Sequence, residues 1–142
     1  MFGGDRQDRV AQRLGGASHG AMVGAACSLG RVTPEAVDLV VCLVTTPPDH
    51  ANPIAEALVA RELVACVNIV ASVRSVYRWR GAVEHDEESL LVIKTTHAAV
   101  PALDDALAEL HPYEVFELVA FNVAGGSADY LDWIGESVKR PG

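Results

Sequence analysis

Three side chains in this sequence have the chemistry of metal ligands: His111, Glu114 and Cys66. A neutral imidazole binds copper or zinc, and the nearby Glu114 carboxylate can complete or orient the ligand set. Cys66 is a lone thiol that suits soft Cu(I). The structural alternatives are that His111 caps a helix or bonds a carbonyl, and that Cys66 is a buried core thiol. The sequence thus offers a candidate site for copper or another divalent cation, with both roles open.

A lysine ends an otherwise apolar stretch and needs a compensating group. Lys94 follows the run LLVI, so its charge requires water or a carboxylate, and Glu88 and Glu117 are candidate partners. Two roles are open for this set. It lines a cleft between subunits in which Lys94 holds an anionic ligand, or it forms a structural ion pair at an interface, which is the more common arrangement.

The aromatic residues also suggest an enclosed surface. Tyr77, Trp79, Tyr113, Tyr130 and Trp133 are five of the eight aromatic residues of the chain. They are candidates for a ligand cage. Aromatic anchors at a subunit interface are the favoured interpretation, because such side chains bury a large area and keep one polar atom. The predicted cleft or interface therefore includes Tyr77, Trp79, Glu88, Lys94, Tyr113, Glu117 and Trp133.

Composition narrows the class of protein. The chain has 142 residues and a net charge of −8, so it is one domain by size and its surface repels nucleic acid. The mean hydropathy of +0.21 is high for a small monomer and favours a shared interface. Cys27, Cys42 and Cys66 cannot all pair within the chain, which indicates reduced thiols in the cytoplasm. No apolar run approaches the ~20 residues of a membrane span.

No catalytic motif stands out in the sequence. A G-x-S-x-G segment, a P-loop and a dinucleotide fingerprint are all missing, so we expect neither an enzyme nor an organic cofactor.

Hydrophobic periodicity predicts the order of elements. Residues 1–34 are rich in glycine and lack a sustained period, which predicts a flexible N-terminal extension before a domain at 35–142. The apolar run 39–45 predicts a buried strand, and a helix follows that starts at Asp49 or is capped by Asn52. Alternation over 64–79 predicts one long strand with a single apolar face, and Gly81 allows the turn into a second arm over 84–95.

Two further helices and one strand complete the pattern. Thr96 is a predicted cap for a second helix, 115–123 is a predicted strand, and Ser127 is a predicted cap for a short last helix. The resulting β-α-β-β-α-β order plus one helix predicts a ferredoxin-like α+β sandwich with an antiparallel sheet. Right-handed crossovers place both main helices on one face. Another copy of the chain is the economical cover for the opposite face.

Six short motifs occur in a characteristic order, and they are TTPPD at 45–49, ELVACVNI at 62–69, SVYRWRG at 75–81, ESLLVIKTT at 88–96, HPYE at 111–114 and DYLDWI at 129–134. In this order and spacing they resemble the CutA family of divalent-cation tolerance proteins over residues 38–138. The resemblance implies a ferredoxin-like subunit, a tight homotrimer and a role in tolerance to copper and other divalent ions. It also implies a trimer similar to that of PII signalling proteins, which by analogy of fold suggests regulation by a ligand.

Two departures from the family pattern bear on the site. Phe116 stands where the resemblance implies a proline, and unlike proline it can donate a strand hydrogen bond, so this strand is expected to pair further or to sit differently. Thr45 and Leu110 stand where some bacterial members carry a cysteine and a second histidine that are linked to copper. Of that set only His111 is present, which weakens the case for a copper site of that composition.

Taken together, these patterns predict a trimeric protein that binds copper or another divalent cation and functions in metal-ion tolerance. The alternative is a PII-like regulatory scaffold that binds a small molecule in the cleft between subunits. The expected partners are further copies of the chain and a metal ion or small ligand, and neither nucleic acid nor a membrane.

Overall fold

The structure, a computed structural model, describes residues 38–142. The predicted N-terminal extension at 1–34 and positions 35–37 lie outside the described residues, so the predicted domain boundary stays a prediction. The described elements are β1 (Leu39–Thr46), α1 (Pro48–Ala60), β2 (Cys66–Trp79), β3 (Ala82–Thr96), a 3-10 turn (His97–Ala99), α2 (Val100–Leu110), β4 (Val119–Asn122) and α3 (Ala128–Ser137).

The four strands form one antiparallel sheet in the order β2-β3-β1-β4. Consecutive βαβ crossovers over α1 and α2 leave the first strand in the middle of the sheet, as the split βαβ arrangement requires. The predicted ferredoxin-like α+β fold with an extra C-terminal helix is confirmed.

The face of the sheet that α1 and α2 cover holds the core. Alternate residues of β1 point into it, which is why the run 39–46 shows buried side chains at every second position. Cys42 lies in this core, and burial raises the pKa of its thiol to about 11, as expected for a structural cysteine. The largest fully buried apolar side chains are Ile54, Leu58, Leu91, Ile93, Leu103 and Leu107.

The opposite face, which we call the open face, is covered at its centre by none of the helices in residues 38–142. Its apolar residues lie at positions that pair across β2, β3, β1 and β4, so they share one side of the sheet. The exposed fractions of Val70, Val119 and Phe121 are 44%, 44% and 54%. Each isolated subunit therefore presents an apolar strip to water. The half-buried members of this strip are Val41, Leu43, Leu90 and Val92.

The long hairpin contains a β-bulge that the sequence pattern did not reveal. The register of β2 against β3 shifts between Val70 and Val73, and the Ser89 hydroxyl donates to the carbonyl oxygen of Ala71 at 2.8 Å there. An extra residue inverts the alternation of a strand, so Val73 lies on the same side as its partner Glu88. The prediction of a single apolar face along 64–79 is therefore wrong beyond Val70.

The predicted bounds of α1 and β4 also differ from the structure. Helix α1 begins at Pro48 instead of at Asp49 or after Asn52, because the first helical residue needs no N–H donor and proline is pre-set for that position. Strand β4 spans Val119–Asn122 only, shorter than the predicted 115–123. Phe116 does not extend the strand but packs against the core cluster. Thr96 does cap the following turn, since its Oγ1 accepts from the Ala99 N–H at 3.2 Å.

Helix α3 packs across the end of the sheet where β1 begins. Ile134 and Val138 form a small buried cluster with Ala65 and Ala99, and Leu39 is among the side chains that pack on it. Ser127 stands at the predicted N-cap, but its contribution is a backbone carbonyl that accepts from the Leu131 N–H at 2.9 Å. Across residues 38–142, no helix combines the length and the apolar character that crossing a bilayer would need.

Candidate functional site

A cavity of about 870 Å³ opens where the hairpin, the end of β1 and the segment after α2 meet. Its walls combine aromatic rings with carboxylates, which is the composition of a polar ligand site rather than of a core void. We call it the acidic cavity. The residues that line it are Thr45, Arg74, Ser75, Val76, Tyr77, Trp79, Asp86, Glu88, Pro112, Tyr113, Glu114, Val115, Phe116 and Glu117.

His111 connects α2 to the segment that lines this cavity. The residue is the C-cap of α2, and its extended backbone (φ −80°, ψ 136°) turns the following segment back over the sheet. Its Nε2 lies 2.8 Å from the carbonyl oxygen of Thr45, and its Nδ1 accepts from the Tyr113 N–H at 3.1 Å. Since Nδ1 accepts, Nε2 carries the proton and donates to Thr45. Both ring nitrogens therefore have a hydrogen-bond partner.

Stacked rings hold His111 in this orientation. Its exposed fraction is 7%, and the Phe116 ring is stacked on it at 5.2 Å between centroids. This contact gives Phe116 a role that the proline implied by the family resemblance would not fill. Metal ligation by His111 stays a prediction, and Nδ1 is the nitrogen that would have to exchange its Tyr113 N–H for a cation.

Glu88 is the most buried carboxylate of the cavity, with an exposed fraction of 5%. The Tyr113 hydroxyl donates to its Oε2 at 3.2 Å. Burial, together with the charge and hydrogen bond of Glu88, raises the pKa of Tyr113 to about 12, so the hydroxyl stays a donor. Burial and the charge of Glu88 also raise the pKa of Glu117. The cavity thus concentrates negative charge in a partly dehydrated place.

The hairpin supplies a second tyrosine–carboxylate pair. The Tyr77 hydroxyl donates to Asp86 across the β2–β3 ladder, and this bond is the main cause that raises the pKa of Tyr77 to about 12. Tyr77 and Trp79 lie beyond the bulge, and their exposed fractions are 40% and 42%. The bulge places them on the Glu88 side of the sheet, where they form one wall of the cavity.

A second group of polar side chains lies at the other end of the open face. Lys94 Nζ donates to Asn68 Oδ1 and lies 4.0 Å from Cys66 Sγ, with Tyr130 of α3 beside the thiol. Trp133 belongs to this end too, since its ring is stacked on Tyr130 at 5.6 Å. We call Lys94, Asn68, Cys66 and Tyr130 the lysine cluster.

The structure therefore divides the predicted site residues between two places. Cys66 and Lys94 are level with Val41 of β1, whereas the His111 bond reaches Thr45, about 13 Å further along that strand. Within one subunit neither Glu88 nor Glu117 is a partner of Lys94. The predicted residues that line the acidic cavity are Tyr77, Trp79, Glu88, Tyr113, Glu114 and Glu117, and those at the other end are Cys66, Lys94 and Trp133.

Sequence reasoning missed Arg74 and Asp86 as cavity residues. The only signal available in the sequence was the change from acidic to apolar residues within 84–93. That change does not reveal a bulge in the opposite strand.

The donor set does not form a metal site inside one subunit. No three His, Cys, Asp or Glu side chains converge at ligand distance anywhere in residues 38–142. Zinc and copper sites usually take three or four protein ligands, so a single described subunit does not fit a tightly held ion. A site of the predicted composition requires ligands from more than one copy of the chain.

Comparison with known proteins identifies close relatives. The family model described as "CutA1 divalent ion tolerance protein" matches residues 40–137. The "Divalent-cation tolerance protein CutA" of Thermus thermophilus is 49% identical over 98 residues, which span 68% of this chain and 95% of that protein. The crystal structure of CutA1 from Oryza sativa superposes with a TM-score of 0.73 at 36% identity, over 75% of this chain and 98% of that one.

A further solved structure carries a name that bears on function. The "PII-like protein CutA" from Nostoc in apo form superposes with a TM-score of 0.67 at 33% identity, over 70% of this chain and 97% of that one.

Proposed function

The chain belongs to the CutA1 family of divalent ion tolerance proteins, and we propose that it works as a homotrimer that binds a divalent cation where subunits meet. The observation that carries the proposal is the open face, on which Val70, Val119 and Phe121 are exposed, whereas the alternate residues of β1 that face α1 and α2 are buried. Burial of this strip against another copy removes apolar area from water, which stabilises association. The number of subunits follows from the family resemblance of the sequence motifs.

The cation site is proposed to combine ligands of two subunits. Glu114 lines the acidic cavity and His111 lies beside it at the end of α2, whereas Cys66 lies at the other end of the open face. A contact that joins unlike ends of two subunits would bring the three donors together. Such a head-to-tail contact generates a ring when the rotation between subunits closes, as it does in a trimer. An imidazole and a thiolate favour copper or zinc over magnesium, and the excess of carboxylates in the acidic cavity attracts the cation.

The assembly is tested first, by light scattering on tag-free protein at micromolar concentration. The expected particle mass is three times the 15.0 kDa of the chain. A well-folded particle with the mass of a single chain would remove the proposal, because no subunit then covers the open face of another.

The cation site is tested by calorimetry with Cu(II), Zn(II) and Mg(II). We expect binding of copper or zinc that Glu114→Gln and Cys66→Ser each weaken at least tenfold, or ~1.4 kcal/mol. Glu56→Gln, which changes an exposed carboxylate of α1, is the matched control and should leave the affinity unchanged. Binding no tighter than millimolar, about 4 kcal/mol, in the intact trimer would rule out a functional metal site.

A PII-like regulatory scaffold is the second candidate, and the acidic cavity favours it. A volume of about 870 Å³ with Tyr77, Trp79 and Tyr113 in its walls can enclose a small molecule. A thermal-shift screen of nucleotides and metabolites tests this function, since a ligand at 100 times its Kd adds about 2.7 kcal/mol of stability. A screen without any stabilising compound would leave metal binding as the remaining function.

The cytoplasm is the proposed compartment. Cys42 and Cys66 are both free thiols, as is usual in a reducing environment.

A further inference from the structure

Two charged side chains on the open face have no partner of opposite sign among the described residues. In residues 38–142 the one ion pair joins Arg61 to Glu109 on the helical side of the subunit. Glu88 and Lys94, which both lie on strand β3, are therefore buried or half-buried charges without a counter-charge. Charges removed from water in this way are normally paired, because the loss of hydration is otherwise uncompensated.

The carboxylate end of the open face has an excess of negative charge. Glu88 is 5% exposed, and its hydrogen-bond partner in the described chain is the neutral hydroxyl of Tyr113. Glu117 lies close enough to Glu88 for that charge to help raise the pKa of Glu117, after burial. Arg74 lines the same cavity without forming an ion pair with either of them. A cation in this place would satisfy two carboxylates at once.

The lysine cluster, at the other end of the open face, has a positive charge that is unpaired within the described chain. The contacts of Lys94 Nζ are the amide oxygen of Asn68 and, at 4.0 Å, the sulfur of Cys66. Both are neutral groups when the thiol is protonated. Lys94 itself is half-buried. Its ammonium has three donors, and the described contacts leave donor capacity for a further acceptor.

The negative charge of Glu88 and the positive charge of Lys94 cannot pair with each other inside one subunit. Glu88 and Lys94 are six residues apart on one strand and point to the same side of the sheet, which separates them by about 20 Å. The exposed apolar strip lies on this same face. A second copy that covers the strip in a head-to-tail contact carries its own lysine cluster toward the acidic cavity of the first.

We propose that Lys94 of each subunit enters the acidic cavity of the next subunit and pairs there with Glu88 and Glu117. This inference rests on the proposed homotrimer and goes beyond it, because it states which ends meet and in which register. An apolar strip by itself allows sliding and several orientations, whereas one cation held by the buried Glu88 carboxylate and the neighbouring Glu117 selects a single orientation. The same contact brings Cys66, the neighbour of Lys94, toward the His111 end.

Zero-length crosslinking tests the contact in the unmodified protein. Light and nitrogen-15-labelled chains are mixed in denaturant, refolded together and treated with a carbodiimide, which joins an amine to a carboxylate in direct contact. The expected product is a mixed-label crosslink from Lys94 to Glu88 or Glu117. Lys139, the only other lysine of the chain and an exposed one, is the internal control. A trimer in which Lys94 forms no mixed-label crosslink to either residue would overturn the proposal.

Charge reversal gives an independent readout. Lys94→Glu and Glu88→Lys alone should each raise the dissociation constant of the assembly at least tenfold, and the double variant Lys94→Glu/Glu88→Lys should recover most of that loss. Within one chain the two sites are separated by more than the screening length in physiological salt, so recovery reports a contact between chains. Strictly additive losses would overturn the pairing.

Both results are distinct from failure of the proposed function. If the wild-type chain is a monomer, the homotrimer itself is wrong. If it is a trimer without the crosslink or the recovery, only the orientation and the ion pair are wrong. Should the charge-reversal variants fail to fold by circular dichroism, the crosslinking result on the wild type decides.

Discussion

The two faces of the sheet carry similar apolar side chains, but these side chains are buried on one face and partly exposed on the other. On the helical face, Val40, Cys42 and Val44 of β1 are at most 1% exposed, because α1 and α2 are connected to the strands by short loops and must pack there. On the open face, the neighbouring Val41 and Leu43 are only half-buried and Phe121 is 54% exposed. Alternate side chains of one strand therefore belong to two apolar layers. Helices of the same chain cover the first layer, and the second is left for another copy of the chain.

The difference separates folding from assembly. Substitutions on the helical face should act on the unfolding of the subunit, and those on the open face should act on association. Variants matched in size on the two faces can break or sharpen this distinction.

The largest effect is expected on the helical face. Leu107→Ala removes a fully buried side chain and leaves a cavity, so it should lower the free energy of unfolding by about 3 kcal/mol. Chemical denaturation followed by circular dichroism measures this. Val59→Ala, on the exposed side of α1 (43% exposed), is the control and should cost within about 0.5 kcal/mol. Equal losses in the two variants would contradict the assignment of the core.

On the open face a charge should disrupt assembly and spare the fold. Phe121→Glu places a carboxylate on the apolar strip of the proposed interface, which should weaken association by about 2 kcal/mol or more. Sedimentation velocity measures the loss of trimer, and circular dichroism shows whether the subunit keeps its helices. Val59→Glu on α1 adds the same charge away from the face and should leave the trimer intact. A fully associated Phe121→Glu protein would disprove this role of the face.

His111 lies at the border between the two faces and should behave as a structural residue. His111→Ala leaves the Thr45 carbonyl and the Tyr113 N–H without their partners, at a cost of about 1–2 kcal/mol to unfolding. The measurement is denaturation without added metal. His97→Ala replaces an exposed histidine and serves as the control. If His111→Ala unfolds like the wild type but loses copper binding, the residue is primarily a ligand.

The smallest effect is a pH dependence at the acidic cavity. Burial and the charge of Glu88 raise the pKa of Glu117 in the folded subunit, so the folded state binds more protons than the unfolded state in the window just above the ordinary glutamate pKa. Stability should therefore fall as the pH rises through that window. The comparison is made in the dissociated Phe121→Glu subunit, where Glu117→Gln should flatten the profile. A profile of the same slope in both variants would exclude Glu117 as its source.

Periodicity predicted the fold well because packing periods are local. The buried run of β1, the apolar stripes of the helices and the Thr96 cap were all recognisable from residues within a few positions of one another. The predicted βαββαβ order and the extra helix are confirmed. Two of the errors occurred where a side-chain contact outside the periodic pattern accompanies the change. Phe116 leaves the strand pattern to stack on His111, and Ser89 of the opposite strand bonds the backbone at the bulge.

The candidate site was only partly predictable. Tyr77, Glu88, Tyr113 and Glu117 were chosen by residue type and do line one cavity. Lys94 was expected beside Glu88, yet six residues of extended strand separate them. The residue types indicate which chemistry is possible, but they do not indicate which side chains are in contact.

From its sequence alone, this chain determines its element order, its fold family and the presence of unmatched apolar and charged residues, because these depend on short-range periodicity and on motif order. Only the tertiary structure decided that the metal-ligand candidates lie in two separate places and that both nitrogens of His111 have hydrogen-bond partners. The physical reason is that antiparallel pairing and one bulge set distances across the sheet, and these distances depend on residues far apart in the chain.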